Sequence, residues 1–333
     1  MNGNGSTTGH KSPERLPDAA ALEYQWKSID WKKAEAEVNR LQTRIAKATQ
    51  EKKWNTVKRL QYLLTHSYYA KALAVRKVTT NKGKKTPGVD GEVWSTPAAK
   101  MRGVLTLTDK GYQAKPLRRV FIEKKGKKAK RPLGIPCMYD RAMQALYALA
   151  LDPVSETTAD TKSFGFRKGR CAQDACECIF TALSRSFSPQ WVLEGDIKGC
   201  FDHISHDWLV EHIPMDKSVL KQFLKAGFVF REELFPTDEG TPQGGVISPI
   251  LANMALDGMQ QVLSDHFDLS VKGEVSAFVH NKSKVNLVRY ADDFIVTAAT
   301  KEIAEEAKEV IRDFLQTRGL ELSEEKTVIT HID

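Results

Sequence analysis

Apolar residues recur at three- and four-residue spacing early in the chain and give way to short runs later. Trp31, Ala34, Val38, Leu41, Ile45 and Ala48 form one stripe, with Lys and Arg on the opposite face. Trp54, Val57, Leu60, Leu64, Tyr68 and Leu73 form a second. This is the period of amphipathic helices, so two are predicted between residues 30 and 78. Further helices are predicted over 140–151, 171–183, 217–226, from Ser248 onward, and from Ile303 to a stop at Gly319. Residues 191–193, 285–288 and 294–296 are apolar and read as strands, and a last strand pair is predicted at 320–322 and 327–330. Strand, helix, hairpin, helix, strand is the ferredoxin-like order within an α+β fold. Residues 1–25 are polar and read as a disordered tail.

The hairpin carries Tyr290-Ala291-Asp292-Asp293 between its two apolar arms. Adjacent carboxylates repel, and burial makes that worse, so such a pair asks for a cation. Carboxylate oxygens suit Mg²⁺, whose shell substrate phosphates can complete. An ordinary acidic turn has the same letters. Asp196, just after the strand at 191–193, could supply a carboxylate from a second element, as two-metal phosphoryl transfer requires.

Several longer segments occur in a fixed order. They are Gly134-Ile135-Pro136 with Asp140-Arg141, Phe164-Gly165-Phe166-Arg167 with Gly169-Arg170, and residues 191–202. Gly240-Thr241-Pro242-Gln243-Gly244-Gly245 with Ser248-Pro249 and Leu251-Ala252-Asn253 comes next, and Arg289-Tyr290-Ala291-Asp292-Asp293 closes the series. Over about residues 80–333 the chain resembles the reverse transcriptases encoded by group II introns, also called maturases. The resemblance implies a right-hand polymerase, with fingers at 101–188 and a palm at 189–333, and insertions near 214–239 and 268–286. It also implies a basic helical extension at 26–100. The thumb and later modules of the family have no counterpart before Asp333.

Roles follow from the same resemblance. Asp196 and Asp292 are the expected ligands of two Mg²⁺ ions, for which Mn²⁺ can substitute. The Ile197 carbonyl is a neighbouring ligand, and Asp293 supports the metal or the primer end. Lys124 and Arg131 are expected to hold the dNTP triphosphate, with Lys125, Lys127 or Lys128 able to replace Lys124. Phe201 is expected to exclude a 2′-hydroxyl, and Gln243 to bond the sugar or base. Arg119, Phe166, Arg167 and Arg170 are expected against the template, and Lys326 near the primer. The implied activity is RNA-directed DNA synthesis, with intron RNA as template, a DNA primer, and roles in splicing and retrohoming. Two alternatives stay open: an RNA-binding splicing cofactor with an idle palm, and a retron or diversity-generating reverse transcriptase.

Composition agrees with an anionic partner. The 333 residues carry a formal charge of +8, and residues 115–131 hold nine Lys or Arg against one Glu. Val120-Phe121-Ile122 and Gly126 shape that stretch as a basic hairpin. No apolar run approaches the roughly 18 residues of a membrane span, so nucleic acid is preferred to membrane. The expected setting is a cytoplasmic ribonucleoprotein, with no oligomeric state specified. Five cysteines, none in CxxC spacing, read as free thiols. Gly83-Lys84-Lys85-Thr86-Pro87-Gly88 lacks the ending of a phosphate-binding P-loop, and His203, His206 and His212 fit no tetrahedral zinc pattern.

Overall fold

The computed structural model describes residues 17–123, 130–269 and 281–332. Four helices lead: α1 (Ala19–Lys27), α2 (Trp31–Gln50), α3 (Trp54–Thr65) and α4 (Tyr68–Thr80). The expected tail at 1–25 is thus helical from Ala19. Asp18 caps α1 through a bond from the Ala21 amide, and Leu22 is fully buried. The second predicted helix is two, because the chain breaks at His66–Ser67. After α5 (Pro97–Thr106) comes α6 (Met138–Thr158), the helix around which α2, α3, α4 and the later α11 pack.

One detail ties this helical layer together. Pro153 lies inside α6 and has no N–H to offer the carbonyl of Leu149, four residues back. The Gln42 amide of α2 donates to that carbonyl at 2.7 Å, and Gln61 of α3 donates to Ala150 O at 3.3 Å. One half-buried and one buried backbone acceptor are thereby bonded from neighbouring helices.

The first sheet has the order β2-β1-β4-β5. Its β1 (Leu117–Glu123) and β2 (Lys130–Ile135) are the arms of the basic hairpin. The segment expected as an insertion near 214–239 contributes α10 (Lys217–Leu224), β4 (Phe228–Phe230) and β5 (Glu233–Phe235). Its β4 joins β1 in parallel, extending the hairpin's sheet. Residues 124–129, with Lys124, Lys125, Lys127 and Lys128, lie outside the described residues, as does most of the expected insertion at 268–286.

The second sheet has the order β6-β7-β3-β8, from β3 (Trp191–Asp196), β6 (Asn286–Tyr290), β7 (Asp293–Ala298) and β8 (Val328–His331). All its pairings are antiparallel, which is the ferredoxin-like arrangement. Helices α8 (Cys200–His203), α9 (His206–His212), α11 (Ser248–Leu256), α12 (Met259–His266) and α13 (Lys301–Gln316) follow the strands. Along β3 and β7, Leu193, Gly195, Phe294 and Val296 are buried, on the side where α13 packs. Glu194 and Asp293 alternate to the open side, as the two-residue strand period requires. Residues 320–322 do not pair with the last strand as predicted. Leu322 bridges Ile197, and β8 lies against β3 instead.

Candidate active site

The strand register brings the acids together. Asp196 ends β3 directly opposite Asp293, the first residue of β7, and Asp292 occupies the two-residue turn before it. The Asp293 carboxyl is pushed up by the protein displacing its water, then by the negative charges of Asp292 and Asp196. A concentration of negative charge of this kind attracts a cation, and one is present. Lys326 Nζ sits 2.6 Å from Asp196 Oδ2, which raises the lysine's proton affinity. Ser323 N donates to Asp196 O at 2.8 Å, so the loop carrying Lys326 is fastened to the end of β3.

Among the described residues, no three His, Cys, Asp or Glu side chains are drawn into a cluster that would hold a metal by itself. Mg²⁺ needs only one or two carboxylates when phosphates supply other oxygens. The facing Asp196 and Asp293, with Asp292 adjoining, meet that requirement.

The turn holds an unfavourable backbone. Ala291 has φ of 59°, at a hairpin position that normally takes Gly. Its support is Arg289, fully buried as the last residue but one of β6. Arg289 Nη1 donates to Ala291 O and to Asn253 Oδ1, both at 3.2 Å, and Nη2 reaches Asp257 Oδ1 at 2.6 Å. Burial pushes the Asp257 carboxyl up to about 6 against the opposing pull of Arg289. The arginine stays charged, since no protein environment readily deprotonates it. Asn253 Nδ2 donates to Gly165 O at 2.9 Å, and the Gly165 backbone lies against Ala291, where a Cβ would come within 2.3 Å of Ala291 N. Backbone bonds from Phe164 N to Arg289 O and from Arg289 N to Lys162 O complete a strap beside β6. Sequence reasoning gave Arg289, Asn253 and Asp257 no role of their own. The available signal was a charged residue inside an otherwise apolar strand, which is rarely fully buried without a partner.

Ile197 is 1% exposed and begins the turn into α8. Phe201 follows Gly199, whose φ is 56°. Phe201 O accepts the Thr241 amide at 2.6 Å, and its ring meets the edge of Phe166 at 5.8 Å. Gln243 Nε2 donates to both oxygens of Asp202, at 3.1 and 3.0 Å, so its amide nitrogen is engaged within the protein. The Arg119 guanidinium lies 3.8 Å from the centre of the Phe228 ring. Burial lowers its proton affinity while Asp202 opposes that shift.

Arg131 is exposed on β2, opposite Ile122. Arg170 Nη1 donates to Thr161 O and Ser163 O, at 2.8 and 2.7 Å. Arg167 departs from its expected template contact. Its side chain is 4% exposed, paired with Glu156 at 2.7 Å and bonded to Asp160 O and Ser163 O. Those bonds hold it in the protein interior.

A cleft of about 320 Å³ opens beside Asp196, Asp293, Tyr290 and Lys326, with Ile179 of α7 (Ala172–Leu183) on its far wall. A larger one, about 700 Å³, is lined by Lys162, Glu177, Arg185 and Lys284 and includes none of these carboxylates. The carboxylate chemistry, not the size, selects the smaller.

The family described as reverse transcriptase (RNA-dependent DNA polymerase) matches residues 122–332, and the N-terminal domain of reverse transcriptase matches residues 26–107. The chain therefore belongs to the reverse transcriptase family, in the branch encoded by group II introns. It is 32% identical to the group II intron-encoded protein LtrA of Lactococcus lactis subsp. cremoris, covering 86% of this chain and 57% of that protein. It is also 32% identical to protein YkfC of Escherichia coli (strain K12), over 83% of this chain and 80% of that protein. The chain thus spans somewhat over half the length of LtrA. Among solved structures it matches telomerase from Candida albicans in complex with a telomeric RNA fragment, at TM-score 0.46 and 13% identity, covering 66% of this chain and 42% of that one. No described helix is long and apolar enough to cross a membrane.

Proposed function

We propose that this chain is an RNA-directed DNA polymerase of a mobile group II intron, extending a DNA primer with dNTPs on an intron RNA template. The observation that carries this reading is the cross-strand register of Asp196 with Asp293, with Asp292 in the adjoining turn. Asp196 and Asp292, with the Ile197 carbonyl, are the proposed metal ligands, and Asp293 supports them. Bound Mg²⁺ would supply charge stabilisation to the attacking and leaving oxygens of phosphoryl transfer.

The remaining roles belong to the chain's own groups. Lys326 holds Asp196 in place and adds positive charge where the primer end would lie. Phe201 forms the floor under the incoming sugar. Asp202 orients Gln243, whose amide oxygen is the proposed contact to the sugar or base. Arg131 of the basic hairpin grips the triphosphate, and Lys124, outside the described residues, is its proposed partner. Arg119 and Arg170 border the template.

The basic helical extension supports a second activity of the same protein, binding intron RNA to assist splicing and retrohoming within a ribonucleoprotein. The match of residues 26–107 to the family's N-terminal domain favours this. Asp292→Asn separates the two. Extension of a DNA primer on RNA is expected to fall by about a hundred- to a thousandfold, the scale on which losing one charge-stabilising group acts, while intron RNA binding by gel mobility is retained. Extension at the wild-type rate would remove the assignment.

A further inference from the structure

Phe166 is a bulky residue in an unfavourable place. Its φ is 61°, and its side chain is 55% exposed. Left-handed backbone at a residue without a hydrogen-bonding side chain costs free energy and persists only where its surroundings impose it. Here they do. Gly165 O is held by Asn253, the Gly165 backbone is pressed on Ala291, and Phe164 is bonded to Arg289. The strap that steadies the acidic turn therefore ends by projecting the Phe166 ring outward. That ring meets Phe201 edge-on, with centroids 5.8 Å apart and planes at 84°. Phe201 is also held by the Thr241 amide on its carbonyl, and its inner side packs against the core.

We infer that Phe166 is a positioning residue for sugar selection: its ring, perpendicular to that of Phe201, holds Phe201 at the height where a 2′-hydroxyl would collide. This rests on the proposed polymerase reading and deepens it. The strap then makes one rigid body of the acidic turn and the sugar floor.

The test is single-nucleotide extension by this chain on an RNA template, measuring kcat and KM for a dNTP and the matching rNTP. Phe166→Gly is the decisive variant, since Gly accepts the backbone at no cost and only the ring is lost. The kcat/KM preference for dNTP is expected to drop by roughly three- to tenfold, the scale of a lost aromatic edge contact. Phe166→Tyr, which keeps the ring, restores it. In a Phe201→Ala background, where the preference has already collapsed, Phe166→Gly adds nothing further, because the two act as one unit. An unchanged preference with a higher KM for primer–template would overturn the inference, making Phe166 a template contact instead. If Phe201→Ala itself leaves the preference intact, the sugar-floor assignment fails first and takes the inference with it. A wild-type chain that incorporates neither nucleotide overturns the polymerase reading as a whole.

Discussion

The hairpin at 286–298 has two cation–carboxylate pairs on its two sides, and they are built for different work. Arg289 and Asp257 are 0% and 8% exposed in their side chains and lie 2.6 Å apart in the core. Lys326 and Asp196 are also 2.6 Å apart, but 55% and 17% exposed. The buried pair is tied into Ala291, Asn253 and, through Asn253, Gly165. Its geometry is over-determined, and breaking it strands a charge away from water. The open pair has water on one side and further carboxylates on the other. Its lysine can yield to another cation or to phosphate at little cost. The fold thus uses one ion pair to fix the turn and leaves the other exchangeable.

Mutation can separate these roles. Arg289→Met leaves Asp257 buried without its partner, and a destabilisation of about 3–5 kcal/mol is expected by chemical denaturation. The double variant Arg289→Met with Asp257→Leu should recover most of that loss, since two matched apolar groups need no counter-charge. If the single variant costs less than about 1 kcal/mol, the buried pair is not the support described here.

Asp140 gives an intermediate case, a buried carboxylate that leans on neutral donors. It accepts from Tyr112 Oη at 2.8 Å and from the Lys115 amide at 3.3 Å, and burial pushes it up to about 6. An acid whose folded value exceeds its unfolded value holds its proton more tightly in the folded state. Its contribution is therefore greatest below about pH 4 and is lost as pH rises through 6. The loss is about 3 kcal/mol at 1.36 kcal/mol per unit. The pH profile of Asp140→Asn, measured against the wild type from pH 4 to 7, should lack this component. Parallel profiles would show that Asp140 titrates normally.

The open pair is expected to matter least to stability. Lys326→Ala should change it by less than about 1 kcal/mol, as exposed ion pairs do. A loss as large as that of Arg289→Met would abolish the distinction between the two pairs.

These contrasts also mark what could be read from the letters. Periodicity located α2 and the start of α13, because their buried stripes are regular. The ferredoxin-like order was legible because strands of the second sheet are separated by clear helical patterns. The break between α3 and α4 was not, since the apolar spacing continues across His66 and Ser67. Nor was the pairing of β4 with β1, which joins segments more than a hundred residues apart and carries no local signal. At the site, Asp196, Asp292 and Asp293 stood out as acids beside apolar runs. Arg167 misled because a motif reveals residue type but not direction. Its guanidinium points inward, to Glu156. Phe166 was expected against the template, and its left-handed backbone and its contact with Phe201 were not legible in the letters.

The Gln42 bond to Leu149 O bears on how the family's two matched segments relate. Pro153 leaves an acceptor in the catalytic half that Gln42 of the leading helices satisfies, so the matched segments share one interior. Exchanging residues 26–107 for those of a relative without an amide at position 42 would leave the half-buried Leu149 carbonyl of α6 without that donor. The boundary between the two family matches is thus a seam in sequence description that the folded protein does not possess.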